Sequence, residues 1–436
     1  MDSKWIYDEK KEKLAFAGYD EYMEYLFACV NEGLNRYLTV LKAMYAVEQG
    51  GYKNVLYPDL EIAHDTCLEK LAKFRNGSPE TKKGGQEEEA PQMDAFSAEL
   101  DDIFRDFIEE NYDLRQEGGS TGTPNRSMEE MIVHIQERAQ ASREQGISLP
   151  FYEICRKQDF DSFTVFCFAC GILSSTQTDY AGVFQVINEN SSLPAPTIES
   201  AAKIYYGSGF SITGAYGDMS VCLEQLLPML DLKVNSAMPF STAVSPDKRI
   251  IDYLFGRNPL RLDENYIRFF KMLTGSEELD PIMANSGVLE AMEISHQEGV
   301  RIFSYYGDEG SGRKFFVKHF CKKNALQAIS INCKKLFVYD FNFVEKALWA
   351  VTRECILTDA CCVLDELSYR EDEKEKFFGY MDLAFSKLVR HGLLVFAISR
   401  EKLTLKDMTG EEFTELELPT PTNQEREKCW RHFAQD

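Results

Sequence analysis

Apolar residues recur at three- and four-residue spacing through residues 20–48, at Leu26, Val30, Leu34, Leu38 and Leu41, which predicts an amphipathic helix that packs against a partner. A second helical stretch, DLEIAHDTCLEKLAKF, gives way to RNGSPETKKGGQEEEAPQ, whose Gly, Pro and charge content predicts a flexible linker over 76–92. FSAELDDIFRDFIEENY predicts a further helix and RQEGGSTGTPNRS a second linker, followed by the helix MEEMIVHIQERAQASREQG. The expected organisation is a helical arm over 1–75, the linker over 76–92, and a helical segment with its own linker over 93–147.

From 148 to 260 short helical patterns alternate with Gly and Pro: LPFYEICRKQ, DFDSFTVFCFACGILSS, AGVFQVINE, PTIESAAKIYYG, MSVCLEQLLPMLD and SPDKRIIDYLFG. They predict one compact, mostly helical module. After a connector containing NYIRFFKMLTG and LDPIMANSG, the period changes. GVRIFSYYG, LQAISINCKKL, ACCVLDEL, LLVFAIS and FTELELP are near-continuous apolar or β-branched runs, as expected of strands covered on both faces. RKFFVKHFCKKN, FVEKALWAVTRECILTD and EKEKFFGYMDLAFSKLVRHG lie between them as helices, so residues 261–436 predict an α/β domain with a doubly wound parallel sheet.

Composition narrows the function classes. At 436 residues and 50.0 kDa the chain exceeds one compact core, and two or three domains are expected. No apolar run reaches the length that spans a bilayer, so no membrane role is expected. The charged start MDSKWIYDEKKEK is no export signal, and a cytoplasmic location follows. The net charge of −23 repels a phosphate backbone, and 148–260 carries only seven Lys and Arg against eleven Asp and Glu. Nucleic acid is therefore excluded as an expected partner. Most of the twelve cysteines sit in apolar runs, where they read as small buried hydrophobes in a reducing compartment.

The first strand of the α/β region runs into Gly307-Asp308-Glu309-Gly310-Ser311-Gly312-Arg313-Lys314 and then a helix. That is the context of a P-loop, in which glycines let successive N–H groups face a phosphate at the positive end of the helix. The intact motif needs Lys and then Ser or Thr, where this chain has Arg313 and Lys314. Arginine is not equivalent to a point-charge lysine, and lysine offers no hydroxyl to Mg²⁺. Asp308 and Glu309 add carboxylates where an anion should be welcome. Taken alone, such a glycine motif reads as a tight strand-to-helix turn.

A second element favours chemistry. Cys361-Cys362-Val363-Leu364-Asp365-Glu366 is an apolar strand ending in two carboxylates, fifty-two positions after Arg313. There Asp365 suits a metal ligand and Glu366 a group that polarises an attacking water, against the plain alternative that both cap a strand or helix. Ser399, ending LLVFAIS, takes the place of a polar residue that touches the terminal phosphate or the water. Arg400 follows it, and no arginine suited to a trans-acting finger stands between there and FTELELP.

The glycine loop, the LDE strand, LLVFAIS and FTELELPTPTNQEREKCW together resemble the AAA+ superfamily. More narrowly, QERAQASREQGISLPFYEICRKQDFDSFTVFCFACGIL, SPDKRIIDYLFGRNPL and CILTDACCVLDEL resemble the ATPases encoded with contractile injection systems, over roughly residues 135–436. That resemblance implies a P-loop AAA+ fold with strand order 5-1-4-3-2, counting the five runs above, behind a winged-helix-like module over 148–260. It also implies self-association into a ring, a hexamer in the full-length protein, with protein partners and an ATP-driven role in building, remodelling or recycling the injection apparatus. ATP or ADP with Mg²⁺ is the implied ligand. The altered loop makes that binding weak or absent and this copy of the domain a poor ATPase or none. The chain stops at Asp436, where PTNQEREKCWRHFAQD should open a helical lid, so the lid and an intact second AAA domain are expected to lie outside it. The rival reading is a catalytically dead scaffold that binds no nucleotide.

Other motifs read as packing. Cys167 and Cys170 form CxxC within an apolar helical run, with neither a second pair nor histidines close in sequence, which argues against zinc or redox chemistry. His64, His134, His296, His319, His391 and His432 share no ligand spacing. KIYYGSGF and IRFFKM read as core before they read as binding faces.

Overall fold

The computed structural model describes residues 15–48, 57–76, 127–231, 237–256, 266–274, 278–403 and 412–434. These fall into two compact units, one within Met1–Tyr152, Asp161–Leu223 and Lys233–Pro246, the other within Glu153–Phe160, Glu224–Leu232 and Asp247–Asp436. Residues 148–260, read from sequence as one module, are thus divided between the two. The helix expected over FSAELDDIFRDFIEENY and the two linkers lie outside the described residues, except that Arg75 and Asn76 of the first end a helix and Ser127 of the second caps one.

The first unit is helical. Its members are α1 (Tyr19–Glu48), α2 (Tyr57–Asn76), α3 (Met128–Glu144), the start of α4 (Pro150–Lys157), α5 (Ser162–Thr176), α6 (Tyr180–Ile187), α7 (Ile198–Tyr206) and all but the last turn of α8 (Ile212–Leu226). The expected stripe of α1 is buried at Leu26, Val30, Leu34 and Leu38, and α1 packs on α2, α3, α5 and α7. Local signals place the starts: Ser127 and Glu130 form a capping box on α3, and Asp161 accepts from the Thr164 N–H at 2.7 Å to open α5. Helix α5 is apolar all round and buried from Phe163 to Leu173, as an element enclosed on every side must be.

The second unit holds α9 (Lys248–Leu254), β1 (Phe270–Met272), α10 (Gly287–Gln297), β2 (Ile302–Tyr306), α11 (Arg313–Lys323), β3 (Gln327–Asn332) and the short α12 (Cys333–Leu336). It continues with α13 (Phe341–Thr358), β4 (Ala360–Leu367), α14 (Lys374–Leu388), β5 (Val395–Ser399), β6 (Phe413–Glu417) and α15 (Asn423–Phe433). The six strands form one sheet in the order β1-β3-β4-β5-β2-β6, all neighbours parallel except β1 with β3. The fold of this unit is therefore α/β with a mostly parallel sheet. Phe303 and Tyr305 of β2, Cys361 and Val363 of β4, and Phe396 and Ile398 of β5 make one core with Phe316, Val317 and Phe320 of α11. The alternate residue Cys362 meets Cys355 of α13 instead, so helices cover both faces.

Three elements differ from the sequence reading: β1 and α10 lie in the stretch taken for a connector, and α12 is a helix where CKKL reads as the end of the LQAISINCKKL strand, because Asn332 ends β3 and caps the turn by accepting from the Lys335 N–H. Three residues are too short for β1 to show a period, and its pairing with β3 is long-range. FTELELP, expected to be covered on both faces, is instead a partly exposed edge strand. Its polar residues Thr414, Glu415 and Glu417 suit that position.

A buried charge network fastens DKRIIDYLFG within this unit. Arg249 of α9 donates to Glu354 of α13 through Nε at 2.6 Å and Nη2 at 3.1 Å. Arg353 pairs with Asp247 at 2.7 Å and donates to the Pro228 carbonyl at 2.9 Å. Helix α13 then ends at Asp359, which takes a left-handed conformation and turns the chain directly into β4. Among the described residues no helix is long and apolar enough to cross a membrane.

Candidate functional site

Parallel strands bring their carboxyl ends to one edge, and β2, β4 and β5 there deliver the three sequence-predicted elements together. Strand β2 ends at Tyr306, residues 307–312 form a loop, and α11 begins at Arg313. Gly310 and Gly312 have φ of 88° and 90°, the left-handed region that glycine reaches without strain. Gly307 is required for closeness: a Cβ there would lie 2.5 Å from the Leu418 carbonyl oxygen and 3.0 Å from Ser311 Oγ. Its N–H donates to the Arg400 carbonyl at 3.2 Å, so the residues following β5 and β6 hold the loop from two sides.

The loop has the features of an anion cradle. Gly312 caps α11 without any side chain, which leaves the first N–H groups of the helix to a ligand or water. Ser311 is buried, yet its Oγ has no hydrogen-bond partner among the described residues. An orphaned buried hydroxyl is a cost that a bound acceptor would remove.

Both cations of the first turn are already engaged. Arg313 donates through Nη1 to the Ser399 carbonyl oxygen, and Lys314 Nζ forms an ion pair with Asp365 Oδ2. The acidic loop residues also find partners: Glu309 pairs with Arg400 at 2.9 Å, and Asp308 accepts from Thr420 Oγ1 at 3.3 Å. The expected repulsion from these two carboxylates is thereby reduced. Arg400, singled out only by its place after Ser399, acts here as the counter-charge of Glu309.

Asp365 is buried at the end of β4, whereas Glu366 is exposed and has φ of 57°. The register between β4 and β5 shifts between Leu364 and Leu367, so Glu366 sits on a bulge. A bulge re-aims a side chain out of the regular pleat, and a left-handed glutamate stores strain at this point. Ser399 is buried, and its Oγ donates to the Glu401 carbonyl at 2.6 Å.

Arg313, Asp365, Glu366, Ser399 and Arg400 line one cavity of about 260 Å³, together with Lys334 and Ser368. Gly307, Asp308, Glu309, Gly310, Ser311, Gly312 and Lys314 form the adjoining loop and first turn and do not line it. Lys334 and Ser368 were missed in the sequence. Each lies just beyond a strand end, Lys334 two residues after β3 and Ser368 next after β4, which is the signal that could have found them. A second cavity of about 550 Å³ shares Lys334, Glu366 and Ser368 and has an aromatic wall that includes Phe337, Tyr369 and Phe377.

The donor set does not fit a divalent cation. Asp365 already has an ammonium on its carboxylate, position 314 has no hydroxyl, and no three His, Cys, Asp or Glu side chains among the described residues are grouped to hold a metal. Cys167 and Cys170 lie buried within α5, where burial raises the Cys170 thiol pKa well above its ordinary value. The aromatic patches pack internally: Tyr205 against Phe163 and Phe166, Phe269 against Tyr339 and Phe343.

No protein-family model matches the chain, and no curated protein matches it.

Proposed function

We propose that the sheet-bearing unit is a P-loop domain of the AAA+ type whose nucleotide site is degenerate, acting in ring assembly, regulation or partner recruitment for ATP-driven remodelling of a macromolecular complex. A contractile injection system is the complex that the sequence resemblance suggests. Four features support this reading. The glycine loop joins a strand to a helix, the Asp-Glu strand lies two places away in the sheet, and the serine strand lies between them. The five parallel strands run β6-β2-β5-β4-β3, which is the order 5-1-4-3-2 that the resemblance implies.

The observation that carries the degenerate reading is the engagement of Arg313 by Ser399 and of Lys314 by Asp365. In an active site of this class the corresponding groups hold β- and γ-phosphates and Mg²⁺. Here a nucleotide must compete with protein atoms for Arg313 and finds no metal to bridge its phosphates. Binding is then weak, with micromolar or higher Kd, because charged hydrogen bonds worth about 1.5–3 kcal/mol each are missing. Hydrolysis by this copy is negligible.

Titration calorimetry of the full chain with ATP, beside Arg313→Glu, tests the proposal. Saturable binding that disappears in Arg313→Glu, with phosphate release at background, supports a nucleotide-responsive segment. Absence of binding leaves the scaffold reading, which the contacts of Arg313 and Lys314 with protein atoms also favour. Brisk hydrolysis abolished by Glu366→Gln would overturn the degenerate-site proposal.

A further inference from the structure

Position 314 is where a P-loop places the hydroxyl that ligates magnesium, and Asp365 is where the facing strand supplies its carboxylate. In this chain the two positions bond directly, Lys314 Nζ on Asp365 Oδ2. We propose that the Lys314 ammonium is a built-in replacement for the divalent cation, so that the loop takes a phosphate-bearing anion free of metal and magnesium opposes its binding. This rests on the P-loop reading above.

Charge and geometry support the replacement. The Asp365 side chain is 9% exposed, so its carboxylate needs a counter-charge, and the lysine supplies one covalently tied to the first turn of α11. A tethered +1 charge stands where a mobile +2 ion would otherwise stand, and it carries no exchangeable ligand positions. The anion's remaining contacts come from elsewhere: the uncapped N–H groups of α11, the buried Ser311 hydroxyl and the guanidinium donors of Arg313 not used on Ser399. None of these requires a metal. Magnesium in solution lowers the charge of a free triphosphate, and so weakens its attraction to those donors, without gaining a protein ligand in return.

Two measurements on the full chain decide this. Mn²⁺ titration followed by electron paramagnetic resonance should show no site in the native chain that Asp365→Asn removes. Lys314→Thr should create one at least about tenfold tighter than any native binding, a difference of about 1.4 kcal/mol, and Lys314→Thr/Asp365→Asn should abolish it. A Mn²⁺ site in the native chain that depends on Asp365, or no gain in a Lys314→Thr chain with native circular dichroism, overturns the replacement. If Lys314→Thr fails to fold, Lys314→Ser and the native chain's own Mn²⁺ titration decide the same point. In the second measurement, ATP should bind the native chain more tightly in EDTA than in excess Mg²⁺, and tighter binding with Mg²⁺ overturns the proposal. Failure of ATP to bind under either condition removes the nucleotide reading and the metal-free anion with it, while the Mn²⁺ result still decides what Lys314 does at Asp365.

Discussion

Glu354→Ala should be among the most destabilising single substitutions in the sheet-bearing unit. Glu354 is 1% exposed and accepts two hydrogen bonds from Arg249, itself 8% exposed. Removing one member of a buried pair leaves the other charge uncompensated and typically costs about 3–5 kcal/mol. For a unit of this size each kcal/mol lowers the unfolding midpoint by roughly 2–4 °C, so the expected fall is about 6–20 °C. Circular dichroism melting of the full chain reads that shift, and hydrogen exchange of β4 locates it, because α13 passes through Asp359 directly into β4. The paired replacement Arg249→Met/Glu354→Leu should recover most of the loss, since a packed apolar pair of similar volume can match a buried ion pair. A shift under about 2 °C for Glu354→Ala, less than a single kcal/mol represents, would refute the reasoning.

Three further outcomes follow. Gly307→Ala should destabilise by about 1–3 kcal/mol through overpacking, because its Cβ would meet the Leu418 carbonyl oxygen at 2.5 Å; urea unfolding measures it, and an unchanged midpoint would mean that the β6 end yields freely. Burial, aided by Lys387 and Arg390, lowers the His391 pKa to about 4 from an ordinary 6.5, so the fold favours neutral imidazole. Stability from this group is complete above pH 6.5 and is lost as pH falls toward 4; His391→Gln should flatten that part of the melting-temperature profile, and an unaltered slope would contradict the assignment. Eleven cysteines are buried and Cys429 alone is partly exposed, so brief alkylation of the native chain should label Cys429 first, as peptide mass spectrometry can check.

Much of the site's location was legible in the sequence. Gly307, Gly310 and Gly312 mark a loop because the turn from β2 into α11 needs left-handed and closely approached backbone there. Asp365-Glu366 and Ser399 stand out because each ends an apolar run, and parallel strands gather such ends at one edge. Arg313 and Lys314 after the last glycine were equally visible, since they are a matter of residue identity at a fixed spacing. The short β1 was not legible, since it exists by pairing with β3, nor was α10, hidden in a stretch read as a connector.

What the sequence determined by itself was set by local periodicity and chemistry: helices in the first unit, alternating strands and helices in the second, and a glycine-rich turn between a strand and a helix. Tertiary structure alone decided where those cations go. Lys314 and Asp365 are fifty-one positions apart, Arg249 and Glu354 more than one hundred, and Arg313 reaches the backbone at Ser399. A residue's side-chain partner across such distances depends on strand order and the bulge at Glu366, and neither leaves a period in the chain. The sequence could therefore show which residues follow the glycines, but only the folded sheet could make Lys314 a counter-charge for Asp365.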